Sequence, residues 1–328
     1  MSPKGGGGRG DRLMVPEAEF ESYYGKQIIK TPTWKTPDVP LYLFLGGMAG
    51  GSALLAEGAA LQGLPTLEKV ARGAAAAGAG IGTVFLVHDL GRPERFLNML
   101  RVFKPTSPLS VGSFILAPFS AFATAAFGSQ VTGWFPRLGR LAGVGAAAFG
   151  PPLATYTAAL FANTAVPIWH EGHRELPFVF GGSGAAAAGG VAMMLAPAAQ
   201  SGPAVRMALA GAALDVGALE VMNRRLGMIA EPYEQGFSGR LMKTARALTG
   251  AGAGLSLLGA LGKRGGKGRR SRVARVAAGA AYVAGSVTLR FGVFEAGLAS
   301  ARDPKYTVVP QKERLAAREA ARAASAPS

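Results

Sequence analysis

The chain has no cysteine. That absence removes disulfides, thiolate metal sites, iron–sulfur ligands and a cysteine nucleophile together. Histidine is almost as scarce, with only His88, His170 and His173. Charge is thin as well. Asp, Glu, Lys and Arg supply 16% of the 328 residues, whereas a soluble domain has about a quarter. Acid is the scarcer sign, with 19 Asp+Glu against 35 Lys+Arg and a net charge of +16. The 49% apolar content excludes a disordered chain and argues against an ordinary cytosolic enzyme. Residues 1–35 are polar and lack an apolar core, so no cleavable signal peptide is expected there. The Gly5–Gly8 run has neither the preceding strand nor the following helix of a phosphate loop.

What is present is long apolar runs. Eight stretches approach the roughly 20 residues that cross a bilayer as helix. They are Leu41–Leu61, Gly73–Val87 (starting near Val70), Val111–Phe127, Leu141–Ile168, Phe178–Ala199, Met207–Met222, Ala247–Gly262 (starting near Met242) and Val276–Ala299. Backbone polar groups need internal partners in hydrocarbon, so these stretches are expected to be helices. The fold class is therefore an all-α integral membrane protein with about eight transmembrane helices. The expected organisation is a polar tail over 1–35, a membrane domain over 36–302 and a charged tail over 303–328, the last holding a short surface helix. Glycine and alanine crowd the spans, and Gly47 to Gly51 has the spacing of close helix packing.

Eight spans place both termini on one side. The tails and the loops on that side carry 22 Lys+Arg, and the opposite side carries 12. That count puts the termini in the cytoplasm of a multi-pass bacterial inner-membrane protein. One short loop on the opposite side pulls the other way, because Lys263 to Arg275 holds seven cations and no acid. Such clusters serve topology and lipid headgroups; no nucleic-acid role is expected.

The second connection is rich in turn and charge signals. His88 and Asp89 close a span, and Gly91 and Pro93 break the helix. Arg92, Glu94 and Arg95 follow with alternating charge, and Ser107 or Ser110 is placed to cap the third span. Three strings stand out: LYLFLGGMAGGS at 41–52, DLGRPERFLNML at 89–100 and PTSPLSVG at 105–112. In order and spacing they resemble the NrfD/polysulfide-reductase membrane-subunit family, as does the approach to the first span at Trp34 and Pro37. The C-terminal run from Arg290 to Pro310 is similar to actinobacterial-type members.

The resemblance implies an eight-helix anchor built as two four-helix bundles. It implies partners, namely a ferredoxin-like iron–sulfur subunit and a molybdopterin catalytic subunit of formate dehydrogenase or polysulfide/sulfur-compound reductase type. It implies exchange of electrons with a membrane quinone (menaquinone or ubiquinone) and no haem or iron–sulfur cluster in this chain. His170 and His173 fall in a connection, where they cannot face one another at membrane depth as haem ligands. No metal site is expected.

Carried over position by position, the quinone contacts fall on Tyr42, Asp38 and Tyr156. A phenol can donate to a quinone oxygen. A tyrosine at a span end also serves as an aromatic-belt anchor, and a buried one can bond a neighbouring backbone group. His88 and Asp89 are candidates for a proton path, or for a helix-end brace. Charges inside spans need a reason. Glu57, Asp215 and Arg290 are the cases here, and Asp215 with Arg290 is expected to form a structural or proton-path pair. Arg92, Glu94 and Arg95 are candidates for partner docking, or for pairing among themselves. Two other readings stay open: a proton or solute transporter, and a purely structural membrane anchor.

Overall fold

The computed structural model describes residues 28–90, 92, 94–261 and 269–325. Among them there is helix and no strand. Eight long helices run back and forth: α1 (Asp38–Leu61), α2 (Pro65–Asp89), α4 (Pro108–Thr132), α5 (Pro136–Ala162), α7 (Leu176–Leu195), α8 (Gly202–Leu226), α9 (Gly236–Leu261) and α10 (Arg269–Arg302). Two one-turn helices, α3 (Arg95–Met99) and α6 (Pro167–Glu171), lie in connections, and α11 (Lys305–Ser325) closes the chain.

Proline sets many of the starts. It occupies the first turn of α2, α4, α5, α6, α7 and α8, where its missing N–H has no intrahelical partner to lose. Ser107 caps α4 by accepting from the Ser110 N–H at 3.5 Å. At the other end of α4, Gly133 adopts φ +74°, the left-handed turn that lets α5 fold back beside it.

Packing divides the long helices into two four-helix bundles. The first comprises α1, α2, α4 and α5, and the second α7, α8, α9 and α10. They meet where α1 and α5 lie against α7. Small residues make this junction close. A methyl group on Gly50 would overlap the Gly150 carbonyl of α5, and one on Gly47 would press on Gly184 of α7 and on the Arg290 guanidinium. The spacing from Gly47 to Gly51 is thus a packing face, as its sequence predicts. Consequently α1 is central. Its most apolar window is 83% buried, against 33% for α2 and for α4. The outer helices turn Ile81, Val84, Phe122, Leu141 and Val221 outward. Among the described residues, five helices (α1, α2, α4, α7 and α10) are long and apolar enough to cross a membrane. This is an all-α membrane protein.

Antiparallel order puts the described N-terminal approach, the α2–α4, α5–α7 and α8–α9 connections and α11 at one end, here the terminal end. The opposite end is the far end. Near the terminal end, Trp34, Phe161 and Trp169 stack with centroids 4.2–5.6 Å apart, Phe180 and Phe294 pack on Phe161, and Trp169 donates to the Val293 carbonyl. This aromatic knot locks the N-terminal approach to both bundles.

Three expectations about extent need correction. The fourth span stops at Ala162, not Ile168. The sequence stays uncharged to Ile168, but Asn163 caps the end of α5, and Pro167 holds Val166 extended and starts a new helix. The second span begins at Pro65, where a start near Val70 was expected, and so takes Glu68 and Lys69 into the helix. The C-terminal helix is 21 residues long, where a short piece was expected.

Candidate functional site

At the terminal end of the first bundle, α1 begins as α2 ends. Asp38 opens α1 and is 4% exposed. His88 lies in the last turn of α2, with its side chain 71% exposed. Their side chains meet at 2.6 Å, His88 Nδ1 to Asp38 Oδ2. One hydrogen spans this contact, and the tautomer of His88 sets which atom donates it. Lys35 fastens the same corner. Its backbone N–H donates to Asp89 Oδ1 at 2.9 Å and its ammonium to the His88 carbonyl at 3.3 Å. Asp89 is thus a brace for the approach to α1.

Tyr42 lies one helical turn further in, on the face of α1 that carries Asp38. It is 3% exposed, and its hydroxyl is buried without a hydrogen-bond partner. Buried hydroxyls normally find one, so this phenol is an unfilled donor. Tyr156 lies at the same end on α5, with its ring packed over Gly112 of α4. A methyl group on Gly112 would occupy the ring's place. One turn earlier on α4, an open cavity of about 270 Å³ is lined by Met99, Val102, Lys104, Ser107, Leu109 and Ser110. Tyr42, Asp38, His88, Asp89 and Tyr156 therefore share one end of one bundle.

In the same connection, Arg92 and Glu94 are exposed. Gly91, Pro93 and the Arg95 side chain lie outside the described residues.

Glu57 is elsewhere, near the far end of the first bundle. It pairs with Arg72 at 3.0 Å, and Arg72 also binds Glu68 at 2.9 Å. Gly143 leaves the room for this cluster, because a methyl group there would clash with both Glu57 and Arg72. Asp215 on α8 and Arg290 on α10 lie mid-helix in the second bundle. They are within electrostatic reach but form no direct ion pair. Arg290 instead donates from Nη2 to the Phe180 carbonyl at 2.8 Å, with its guanidinium carbon 3.9 Å from the centre of the Phe180 ring. Its Nε and Nη1, and Asp215 Oδ1, are buried without partners. Glu220 pairs with Arg224.

The terminal end of the second bundle is tied by ion pairs. Arg225 grips both carboxylate oxygens of Glu175 at 2.6 Å, and this hydrogen bonding holds the Glu175 carboxyl below its ordinary range. Lys305 and Tyr306 of α11 bind Glu231, and Arg314 binds Glu171. These anchors draw the first half of α11 across the end of the bundle.

Sequence reasoning missed the role of Arg72, which stands just before the charge-free run that opens at Gly73. It also missed the Asp38–His88 bond, whose partners are 50 residues apart. The signal available was an acid at the start of one span and a histidine at the end of the next.

Two bundles of apolar helices, with Asp38, Tyr42, His88, Asp89 and Tyr156 at one end of the first, define a polytopic membrane protein. The chain belongs to the polysulphide reductase NrfD family, whose sequence model matches residues 29–203. That stretch covers the first bundle, α6 and α7. The family implies a membrane subunit of a quinone-interacting oxidoreductase. No curated protein matches the chain.

Proposed function

We propose that this chain is the quinone-reactive anchor of a bacterial inner-membrane oxidoreductase. An iron–sulfur subunit docks at the terminal end near Arg92, Glu94 and Arg95 and relays electrons to or from a molybdopterin subunit of formate dehydrogenase or sulfur-compound reductase type. The larger Lys and Arg total favours a cytoplasmic terminal end.

The observation that carries the reading is the buried, unpartnered Tyr42 hydroxyl one turn from the Asp38–His88 bond. These residues fit a quinone. A phenol suits a carbonyl oxygen, the Gly112–Tyr156 contact gives a flat apolar wall, and a carboxylate leads to an exposed imidazole. When bound, a quinone takes up or releases two electrons and two protons. Tyr42 and Tyr156 would hold the group by donating phenol hydrogen bonds to its carbonyl oxygens. Asp38 holds a proton at its carboxylate, and His88 passes it to or from water at the membrane edge. Lys35 and Asp89 keep the two helix ends in register. Glu57, Asp215 and Arg290, deeper along the helices, serve as further proton-path groups.

The test is a mild-detergent pull-down of the whole complex with partner identity, iron, molybdenum and quinone assayed. Quinone turnover is then measured in Asp38→Asn. Turnover is expected to fall on the order of a hundredfold at unchanged yield of complex. Full turnover in Asp38→Asn would remove Asp38 from the proton path. A stable, solitary, quinone-free protein, from membranes that contain the candidate partners, would favour the transporter reading instead.

A further inference from the structure

At the far end, the α7–α8 turn meets the start of α10. Arg275 reaches across from α10 and donates from Nη1 to Ser201 Oγ at 3.5 Å, while its Nε is buried with no partner. Arg272, one turn earlier on α10 and exposed, is close enough to repel it. From the other side, Arg206 of α8 turns back over its own first turn. A methyl group on Gly202 would sit 3.6 Å from Arg206 Nη1. Three guanidinium groups thus lie where the α7–α8 turn meets the start of α10, and one of them reaches the buried Ser201. Among the described residues, none of the three meets a carboxylate. The flanking loop only adds to the imbalance, since residues 262–275 contain no acid. At the terminal end, by contrast, Arg225, Lys305 and Arg314 each hold a glutamate.

Like charges drawn together at a membrane edge need a counter-anion from outside the chain. Guanidinium groups bind phosphate oxygens through paired, charge-assisted hydrogen bonds. The anion in greatest supply at that depth is a lipid headgroup. We infer that Ser201, Arg206 and Arg275, with Arg272 at the rim, hold the phosphate of an anionic membrane lipid. The site has a structural consequence. Gln200, the residue before Ser201, caps α2 of the first bundle, its Oε1 accepting from the Thr66 and Leu67 N–H groups at 2.9 and 3.0 Å. Two consecutive residues therefore bind α2 on one side and α10 on the other. A lipid seated on Ser201 clamps the joint between the bundles, at the end opposite the proposed quinone corner and independently of it.

The test uses the full chain in nanodiscs of phosphatidylcholine alone or with a minor fraction of phosphatidylglycerol, read by thermal unfolding and by native mass spectrometry of retained lipid. The wild type is expected to retain phosphatidylglycerol and to melt higher in its presence. The Arg206→Gln/Arg272→Gln/Arg275→Gln variant is expected to lose both effects, while Lys263→Gln/Arg264→Gln/Lys267→Gln keeps them. Should the triple arginine variant fail to fold, Arg206→Gln alone, on an exposed side chain, is expected to weaken retention on the order of tenfold. Equal loss in the lysine-loop control would overturn the site in favour of diffuse charge. An equal melting shift from inorganic phosphate in plain phosphatidylcholine would overturn the lipid in favour of a free anion. No response of the wild type to phosphatidylglycerol would overturn both.

Discussion

In the first bundle, the buried charges lie close to the helix ends. Asp38 opens α1, and Glu57 and Arg72 lie within about 10 Å of the far end at the helical rise. All three have charged or ionisable partners within 3.0 Å. In the second bundle, Asp215 and Arg290 lie about 16–18 Å from the nearer helix ends, and neither binds the other directly. Near an end, a cluster can form around a side chain that also reaches toward water. Deep inside, α7 compensates Arg290 with a backbone carbonyl and an aromatic face. Depth decides which kind of compensation is built.

The sharpest way to break this comparison is Arg290→Met. It leaves Asp215 buried without the opposite charge and empties the space beneath Gly47. The expected cost is about 3–5 kcal/mol, seen as poor membrane yield and early unfolding in detergent. Adding Asp215→Asn is expected to recover part of the loss. If Arg290→Met alone melts like the wild type, the two groups are not energetically linked and the second bundle holds two separate polar defects. Arg72→Ala is the counterpart in the first bundle, stripping Glu57 and Glu68 of their shared cation. Because this cluster is nearer the end, a smaller cost of ~2–3 kcal/mol is expected. A larger loss than for Arg290→Met would contradict the role of depth.

A third test concerns the joint between the bundles. Gln200→Ala removes the acceptor for two N–H groups at the start of α2. Loss of such a cap costs about 1 kcal/mol. The change is expected to lower the melting temperature slightly without altering quinone turnover, because the residues proposed to contact the quinone are at the opposite end. An activity loss at normal stability would show that the two ends communicate through α2.

Much of this architecture is legible along the chain. The apolar runs locate all eight long helices, because hydrocarbon demands uninterrupted helix and few charges. Extent is less legible. Between Phe161 and Ile168 no charge signals the break, which is marked by Asn163 at the end of α5 and by Pro167 at the start of α6. Arg72 looks like a boundary, although its guanidinium folds inward to two glutamates. At the candidate site, Tyr42, Asp38, His88 and Tyr156 were identifiable one at a time. That Asp38 joins His88 and that Asp89 braces Lys35 depends on how α1 and α2 end beside each other, which no local pattern encodes. Arg290 and Asp215 illustrate the reverse. Opposite charge and equal depth suggest a direct pair, yet the carbonyl and ring of Phe180 hold the guanidinium.

The smallest expected effect lies at the terminal end of the second bundle, where charge is compensated at the edge as in the first. Glu175 is gripped by Arg225, and that hydrogen bonding lowers its pKa from the ordinary 4.5. A carboxyl with a depressed folded-state pKa adds stability that is fully present above its unfolded value. The contribution fades as pH falls through the folded value, when the carboxylate takes a proton and the bidentate bond is lost. Glu175→Gln removes it at every pH. The wild type is therefore expected to melt higher than Glu175→Gln at neutral pH, with the gap closing as pH drops below about 4.5. Thermal unfolding of the two proteins across pH 3–7 measures that gap. A gap that stays constant to the lowest pH would mean that Glu175 acts through shape alone, and that edge compensation in the second bundle is unlike that around Asp38 and Arg72.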